Sequence, residues 1–497
     1  MGGTSVLCVG WDGADLSTID SLIARGRLPN LARLRESGLG GSLDGLPGLA
    51  DDAHWSSFAT SQPPDVHGRF HHEQPASGRY YQSNFPRDAM SVAPFWEHLA
   101  AAGLRVAVLD APKSPLGQNP NLRVVADWMP HGADGPAPVS TPSGLVEELN
   151  ARYGPPPPLE CHRVIAPGEE EDVASCIRAR LELRTRAALD WLEGEDWDLF
   201  HVVFAESHCI GHHCWHVHDP SHPEHIEAQR DRIGDVVEDI YMHQDQALGQ
   251  LIAAAGPQAA VVVFSPLGMG PNYNGDALVQ PVLDRLARRG ATEVPLWARA
   301  VRTVPRWARR GLPWLGRPAR SVGRSPFRDL PYWHLRHDAI SSAIRLNVVG
   351  RDPAGIIHPG SDFDHHRDLL TETFRSLTRV PAGTPAVADV VDVAKAFPGP
   401  AGDRFADLLV VWDTTAPIDE VSSPALGRIA VPPEPMRSGN HRTPGWSVLA
   451  GAGLEPRSLP RASLLDLGPT IADLLGAPLD GVRGRSLLDR ASANVRV

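Results

Sequence analysis

Four short, almost wholly apolar runs, at residues 5–10, 104–109, 198–204 and 259–264, alternate with longer stretches of helical period over the first 265 residues. A run without a polar face has to be covered on both sides. The economical way to do this is a β-α-β repeat, which predicts a largely parallel sheet between two layers of helices. After the first run, Leu16, Ile19, Leu22 and Ile23 share one helical face, which Pro29 interrupts. Before the fourth, Ile233, Val237, Ile240, Gln244, Leu248 and Leu251 recur at spacings of three and four and predict a long helix. Strands are expected again at 406–412 and 446–450, and a closing helix at 464–475.

The 47 prolines and 46 glycines predict long, well-structured loops around this core. A net charge of −12 excludes a general nucleic-acid binder, which needs a basic surface. The five cysteines form no C-x-x-C pair and no even framework, which argues for free thiols rather than a disulfide-stapled fold. No stretch reaches membrane-spanning length, and the first apolar run lacks the basic and apolar regions of a signal peptide. A cytoplasmic protein without a transmembrane segment is therefore expected, its oligomeric state left open. Residues 291–328 stand apart as an arginine- and tryptophan-rich insertion, either a cationic lid or a solvated amphipathic face. The rest, 1–290 and 329–497, is expected to form one catalytic domain.

Ligands of open α/β sheets bind at the carboxyl ends of strands, so residues just beyond each strand matter most. Four segments qualify: Asp12-Gly13; Asp51-Asp52 and the following Trp55-Ser56-Ser57-Phe58-Ala59-Thr60; Glu206 through Trp215 with His208 and His212; and Gly439-Asn440-His441. If the third is helical, His208 and His212 lie one turn apart on one face and can meet a ligand from elsewhere. Plainer roles compete for each residue. Asp12 could cap the next helix, Asp51-Asp52 could be a turn, and His54, His71 and His72 could be surface or supporting groups. His213, His216 and His218 could form a structural zinc clasp with Cys209 and Cys214, although such cysteines are more often small buried residues.

In content and order these segments resemble the alkaline phosphatase superfamily, in particular its bacterial type I phosphodiesterase and nucleotide pyrophosphatase branch. The resemblance rests on Asp12-Gly13, the Trp55–Gly68 segment, Glu206 with His208, His212 and Trp215, then Gly439-His441 and Pro469-Thr470 before Leu474-Leu475-Gly476. Arg345-Leu346-Asn347, Gly350-Arg351 and Ala406-Asp407-Leu408 add to it. It implies an alkaline phosphatase-like three-layer α/β sandwich with an inserted cap or lid segment.

It also implies a site with two metals and a threonine or serine nucleophile, and here the chain departs from its relatives. Asp51, or Asp52 with a one-residue shift, stands where the hydroxyl belongs. Pro266 and Leu267 stand where relatives carry an aspartate-histidine pair, so one metal position keeps too few ligands. The other position becomes His208, His212 and His441, with Asp12 and Asp51 nearby. Imidazoles suit one divalent transition metal, zinc or iron foremost, with copper or manganese as further candidates. The expected function is metal-assisted bond cleavage in a small anionic substrate, with Asp12 and Asp51 as catalytic residues. A non-haem iron or copper oxidoreductase of specialised metabolism and a non-catalytic scaffold are the alternatives.

Overall fold

The computed structural model describes residues 5–132, 136–290, 327–337, 340–432, 435–451, 453–459 and 461–488. It separates into two compact units, one formed by residues 1–69, 86–272 and 435–497 and the other by residues 70–85 and 273–434. All but the last two residues of the arginine- and tryptophan-rich insertion lie outside the described residues.

The first unit carries β1 (Val6–Trp11), β2 (Leu39–Asp44), β3 (Val106–Leu109), β4 (Leu122–Ala126), β5 (Val139–Thr141), β6 (Leu199–Phe204), β7 (Ala260–Ser265), β8 (Gly268–Pro271), β9 (Gly439–Arg442) and β10 (Gly445–Ala450). Its helices are α1 (Leu16–Ala24), α2 (Pro29–Ser37), α3 (Asp51–Thr60), α4 (Phe95–Ala101), α5 (Glu170–Gly194), α6 (Glu206–His218), α7 (Val236–Ala255) and α8 (Leu467–Leu474). The main sheet runs β2-β10-β7-β1-β6-β3-β4-β5. Its centre, β7-β1-β6-β3-β4, is parallel, while β10 runs antiparallel to both β7 and β2.

The apolar runs are buried because successive side chains feed opposite cores. Leu7, Val9 and Trp11 of β1 pack with α1, α2, α5, α6 and α7, whereas Val6 and Cys8 pack with α3, α4 and α8. This is the expected three-layer sandwich. Two helix boundaries differ from the periodic reading. Pro29 starts α2 rather than merely ending α1, since its ring suits the first helical turn. Ile233 closes a separate short helix; Gly234, at φ +76°, breaks the chain, and Asp235 caps α7 by accepting from Glu238 N.

The second unit is built on a four-stranded antiparallel sheet of Tyr332–Leu335, Ser341–Leu346, Leu408–Trp412 and Val387–Asp392, in that order. The run at 406–412 is thus a strand, but of this sheet. The buried Arg345 and the partly buried Arg351 serve here as scaffolding: Arg345 Nε donates to Asp352 at 2.9 Å, and Arg351 Nη1 to Asp407 at 2.6 Å.

Candidate functional site

Asp12 follows β1 directly, where the chain leaves the centre of the parallel sheet. Its backbone N–H still bonds Phe204 O of the neighbouring β6, at 2.8 Å. It is fully buried and does not cap α1; Asp15 does that by accepting from Thr18 N. Gly13 is needed beside it for two reasons. Its φ is +64°, and a Cβ there would lie 3.0 Å from the His208 backbone. Asp12 is held by Trp55, whose Nε1 donates to Oδ1 at 3.0 Å, and by Ser207, whose hydroxyl donates to the Asp12 carbonyl at 2.7 Å.

α6 begins as β6 ends, and it is helical through residues 206–213 before a kink at Cys214. His208 and His212 therefore stack one turn apart, with ring centroids 4.5 Å from each other. His441 arrives from the opposite end of the sequence on the β8-β9 ribbon, opposite Met269. Its ring centroid lies 4.7 Å from that of His208 and 4.9 Å from that of His212. The approach depends on Gly439, where a Cβ would sit 2.1 Å from the Gly211 carbonyl oxygen of α6. Nδ1–H of His212 donates to the Gly439 carbonyl at 2.8 Å. A carbonyl can only accept, so Nε2 is the nitrogen left with a free lone pair.

One donor nitrogen from each of the three imidazoles lies within 4.8 Å of the others. Asp12, Asp51 and His208 satisfy the same test, so His208 belongs to both groups. Asp12 Oδ2 is 3.0 Å from His208 Nδ1, although the two are not aligned as a hydrogen bond. Burial opposes charge on both residues, but their mutual attraction prevails. It holds the Asp12 carboxyl below the usual carboxylate range and the His208 imidazole well above the usual histidine value. His212 goes the other way: burial, then the positive charges of Arg437, His208 and His441, push it far down and keep it neutral.

Asp51 and Asp52 form the first turn of α3 rather than an isolated turn, at the end of the helix where the macrodipole favours negative charge. Lys113 bridges them, its Nζ 2.5 Å from Asp51 Oδ2 and 2.9 Å from Asp52 Oδ1. Arg69 adds a longer contact to Asp52, at 3.4 Å. Asp52, with a side chain 1% exposed, is enclosed by these cations; Asp51 is the one that also reaches the Asp12 and His208 donors. Lys113 is held at φ +56°, and its backbone N–H donates to Asp127 at 3.2 Å. Asp127 is itself paired with Arg87.

The structure thus brings Asp12, Asp51, His208, His212 and His441 into one neighbourhood. His54 is buried, not superficial; its ring bonds Ala50 O and Leu46 N and fixes the loop before α3. Pro266 and Leu267 are buried at the end of β7, with Ser265 Oγ donating to Leu267 O at 2.6 Å. Among the described residues, Cys209 groups with His131 and Cys161 rather than with Cys214 and the later histidines. Glu206 ion-pairs with the buried Arg184, which also holds Asp110 at 2.7 Å.

Sequence reasoning missed Lys113. One signal was available: only two of the 47 basic residues are lysines, Lys113 and Lys395. In a chain that otherwise uses arginine, a lysine beyond an apolar run marks a place where a compact ammonium is wanted.

Among solved structures, phosphonoacetate hydrolase from Sinorhizobium meliloti superposes with a TM-score of 0.53 at 15% identity, over 96% of each chain. Murine ectonucleotide pyrophosphatase/phosphodiesterase 5, in an inactive variant form with AMP, gives 0.53 at 12% identity over 97% of each. The wild-type alkaline phosphatase PafA gives 0.57 at 13% identity, over 98% of this chain and 99% of that one. At these identities the likeness concerns the fold. No curated protein matches by sequence. The model of the type I phosphodiesterase/nucleotide pyrophosphatase family matches residues 6–411, and the chain belongs to that family.

Proposed function

We propose that this protein is a metal-dependent enzyme that cleaves a bond in a small anionic molecule. It would use one divalent transition-metal ion held by His208, His212 and His441, with Asp12 and Asp51 alongside. The observation that carries this reading is the convergence of three buried imidazoles, two from α6 and one from β9, elements more than 220 residues apart in sequence. The donor chemistry fits: His212 is neutral, and its Nδ1–H is engaged by a carbonyl, leaving Nε2 to bind. An ion there would supply a Lewis acid that polarises the scissile group and lowers the proton affinity of nearby water.

The remaining residues support one such ion in this neighbourhood. Asp51 is engaged by an ammonium that stands where a second cation would draw on the same carboxylate, and Pro266 and Leu267 offer no ligand. Lys113, held by the two carboxylates, places positive charge beside the site and lessens its repulsion of an anionic substrate. Asp51 replaces a nucleophilic hydroxyl with a carboxylate, suited to accept a proton or anchor a donor. Family membership favours hydrolytic chemistry, and the phosphonoacetate and AMP in the names of the structural relatives are small phosphorus-containing anions.

Metal analysis tests the reading directly. His212→Ala and His441→Ala should each bind one equivalent less than the wild-type chain and lose turnover. A loss of two equivalents, or of none, would overturn it. The oxidative alternative uses the same imidazoles with a carboxylate 3.0 Å from His208, a donor set that also suits iron. Dioxygen uptake by the iron-loaded protein with no hydrolysis of any phosphorus ester would decide for it.

A further inference from the structure

A second donor cluster lies behind His208 and plays no part in the reading above. His131, Cys161 and Cys209 each offer one ligand atom, all within 4.8 Å of one another. They come from three separate places: the loop beyond β4, the turn before α5, and the first turn of α6. Both cysteines are buried, at 0% and 3% exposure, and both are free thiols. Cys209 Sγ lies 3.6 Å from Nδ1 of His131.

That separation is what a tetrahedral ion demands. With metal–sulfur and metal–nitrogen bonds of about 2.3 and 2.05 Å, the sulfur–nitrogen edge of the tetrahedron is about 3.5 Å. The backbone around the cluster is already fixed. Cys161 N donates to His131 O at 2.7 Å, Arg437 donates to Cys161 O at 2.9 Å, and Cys209 N donates to Ala205 O at 3.1 Å. These bonds hold the three donors within 4.8 Å of one another.

We propose that His131, Cys161 and Cys209 form a distinct binding site for one thiophilic divalent cation, zinc in the first instance. Two sulfurs make the site soft, in contrast to the all-nitrogen set of His208, His212 and His441. Binding converts two thiols to thiolates and releases two protons to solvent, so a dication with two thiolates and a neutral imidazole carries no net charge. A neutral assembly is the one that an interior of this kind tolerates best. The fourth position is left to water. His131 is the partly exposed ligand, and its ring packs edge-on against His208 at 4.6 Å.

The test uses the reduced, metal-stripped full chain titrated with cobalt(II). Wild-type protein and a His212→Ala/His441→Ala double variant should both develop a near-ultraviolet thiolate-to-cobalt band that saturates at one equivalent. Cys161→Ser and Cys209→Ser should each lose it. Absence of the band from wild-type protein, or its survival in both serine variants, would overturn the proposal. Since persistence of the band in the double variant does not require the three-histidine centre, failure of one site is distinguishable from failure of the other. A second measurement needs no variant: zinc should slow alkylation of Cys161 and Cys209 at least tenfold, mapped by peptide mass, while that of Cys176 is unchanged. Equal alkylation rates with and without zinc would likewise overturn it.

Discussion

Lys113 Nζ sits 2.5 Å from Asp51 Oδ2 and 2.9 Å from Asp52 Oδ1, one ammonium between two adjacent carboxylates at the start of α3. A single side chain thereby offsets negative charge on both members of the acidic pair. Lys113→Met should remove the ammonium shared by the two carboxylates, and should cost about 3 kcal/mol, as breaking a buried ion pair does. Adding Asp51→Asn should return most of that loss. Urea denaturation of the single and double variants measures both, and equal stability of Lys113→Met and wild type would refute the compensation.

On the reading proposed above, Asp51→Thr supplies a hydroxyl but not the ligands of a second metal ion. Pro266 and Leu267 remain buried at the end of β7, and Asp12 alone cannot retain a second ion. The variant should stay inactive toward a nitrophenyl phosphodiester. Brisk release of nitrophenol would show that the missing aspartate-histidine pair is not what blocks the two-metal reaction.

Gly439→Ala tests how the third histidine reaches the centre. The new Cβ would lie 2.1 Å from the Gly211 carbonyl oxygen, so the ribbon has to move away from α6, and His441 with it. Metal affinity at the three-histidine centre should fall at least tenfold, with a stability loss of about 2 kcal/mol from the steric clash. Unchanged metal affinity by competitive chelation would show that the ribbon tolerates the shift.

Acid stability is set partly by buried histidines outside the three-imidazole cluster. Burial pushes His54 and His201 down to about 4, from an ordinary value of 6.5. His54 commits its Nδ1 proton to Ala50 O and receives Leu46 N–H at Nε2, so protonating Nε2 breaks a bond; His201 lies among Phe58, Trp96 and Phe264. Between pH 6.5 and 4 the unfolded chain takes up protons at these sites and the native chain does not. Stability is therefore full above pH 6.5 and falls as pH drops through that window, by about 3 kcal/mol per residue at full extent. His201→Phe should flatten the fall in the urea midpoint between pH 7 and 5. An unaltered slope would exclude His201 as a contributor.

Much of this was legible in the residues because it is local. An apolar run with no polar face has to be covered on both sides, so β1, β6 and β7 and their place in a parallel sheet follow from composition over six or seven residues. The i, i+4 spacing of His208 and His212 becomes a shared face as soon as the segment is helical, and ordered motifs were enough to join His441 and Asp12 to it. Helix boundaries at Pro29 and Gly234 were less legible, because a proline or a glycine marks a break without saying which side of it the next helix claims.

What the sequence determined, then, is which residues stand at the ends of the central strands and which donors they offer. What only the tertiary structure decided is what each donor meets across distances unrelated to sequence spacing. Lys113 reaches Asp51 from 62 positions away, His131 and Cys161 converge on Cys209, and Arg184 rather than a ligand claims Glu206. These pairings depend on side-chain reach and on the matching of buried charge, and neither leaves a periodic trace in the chain.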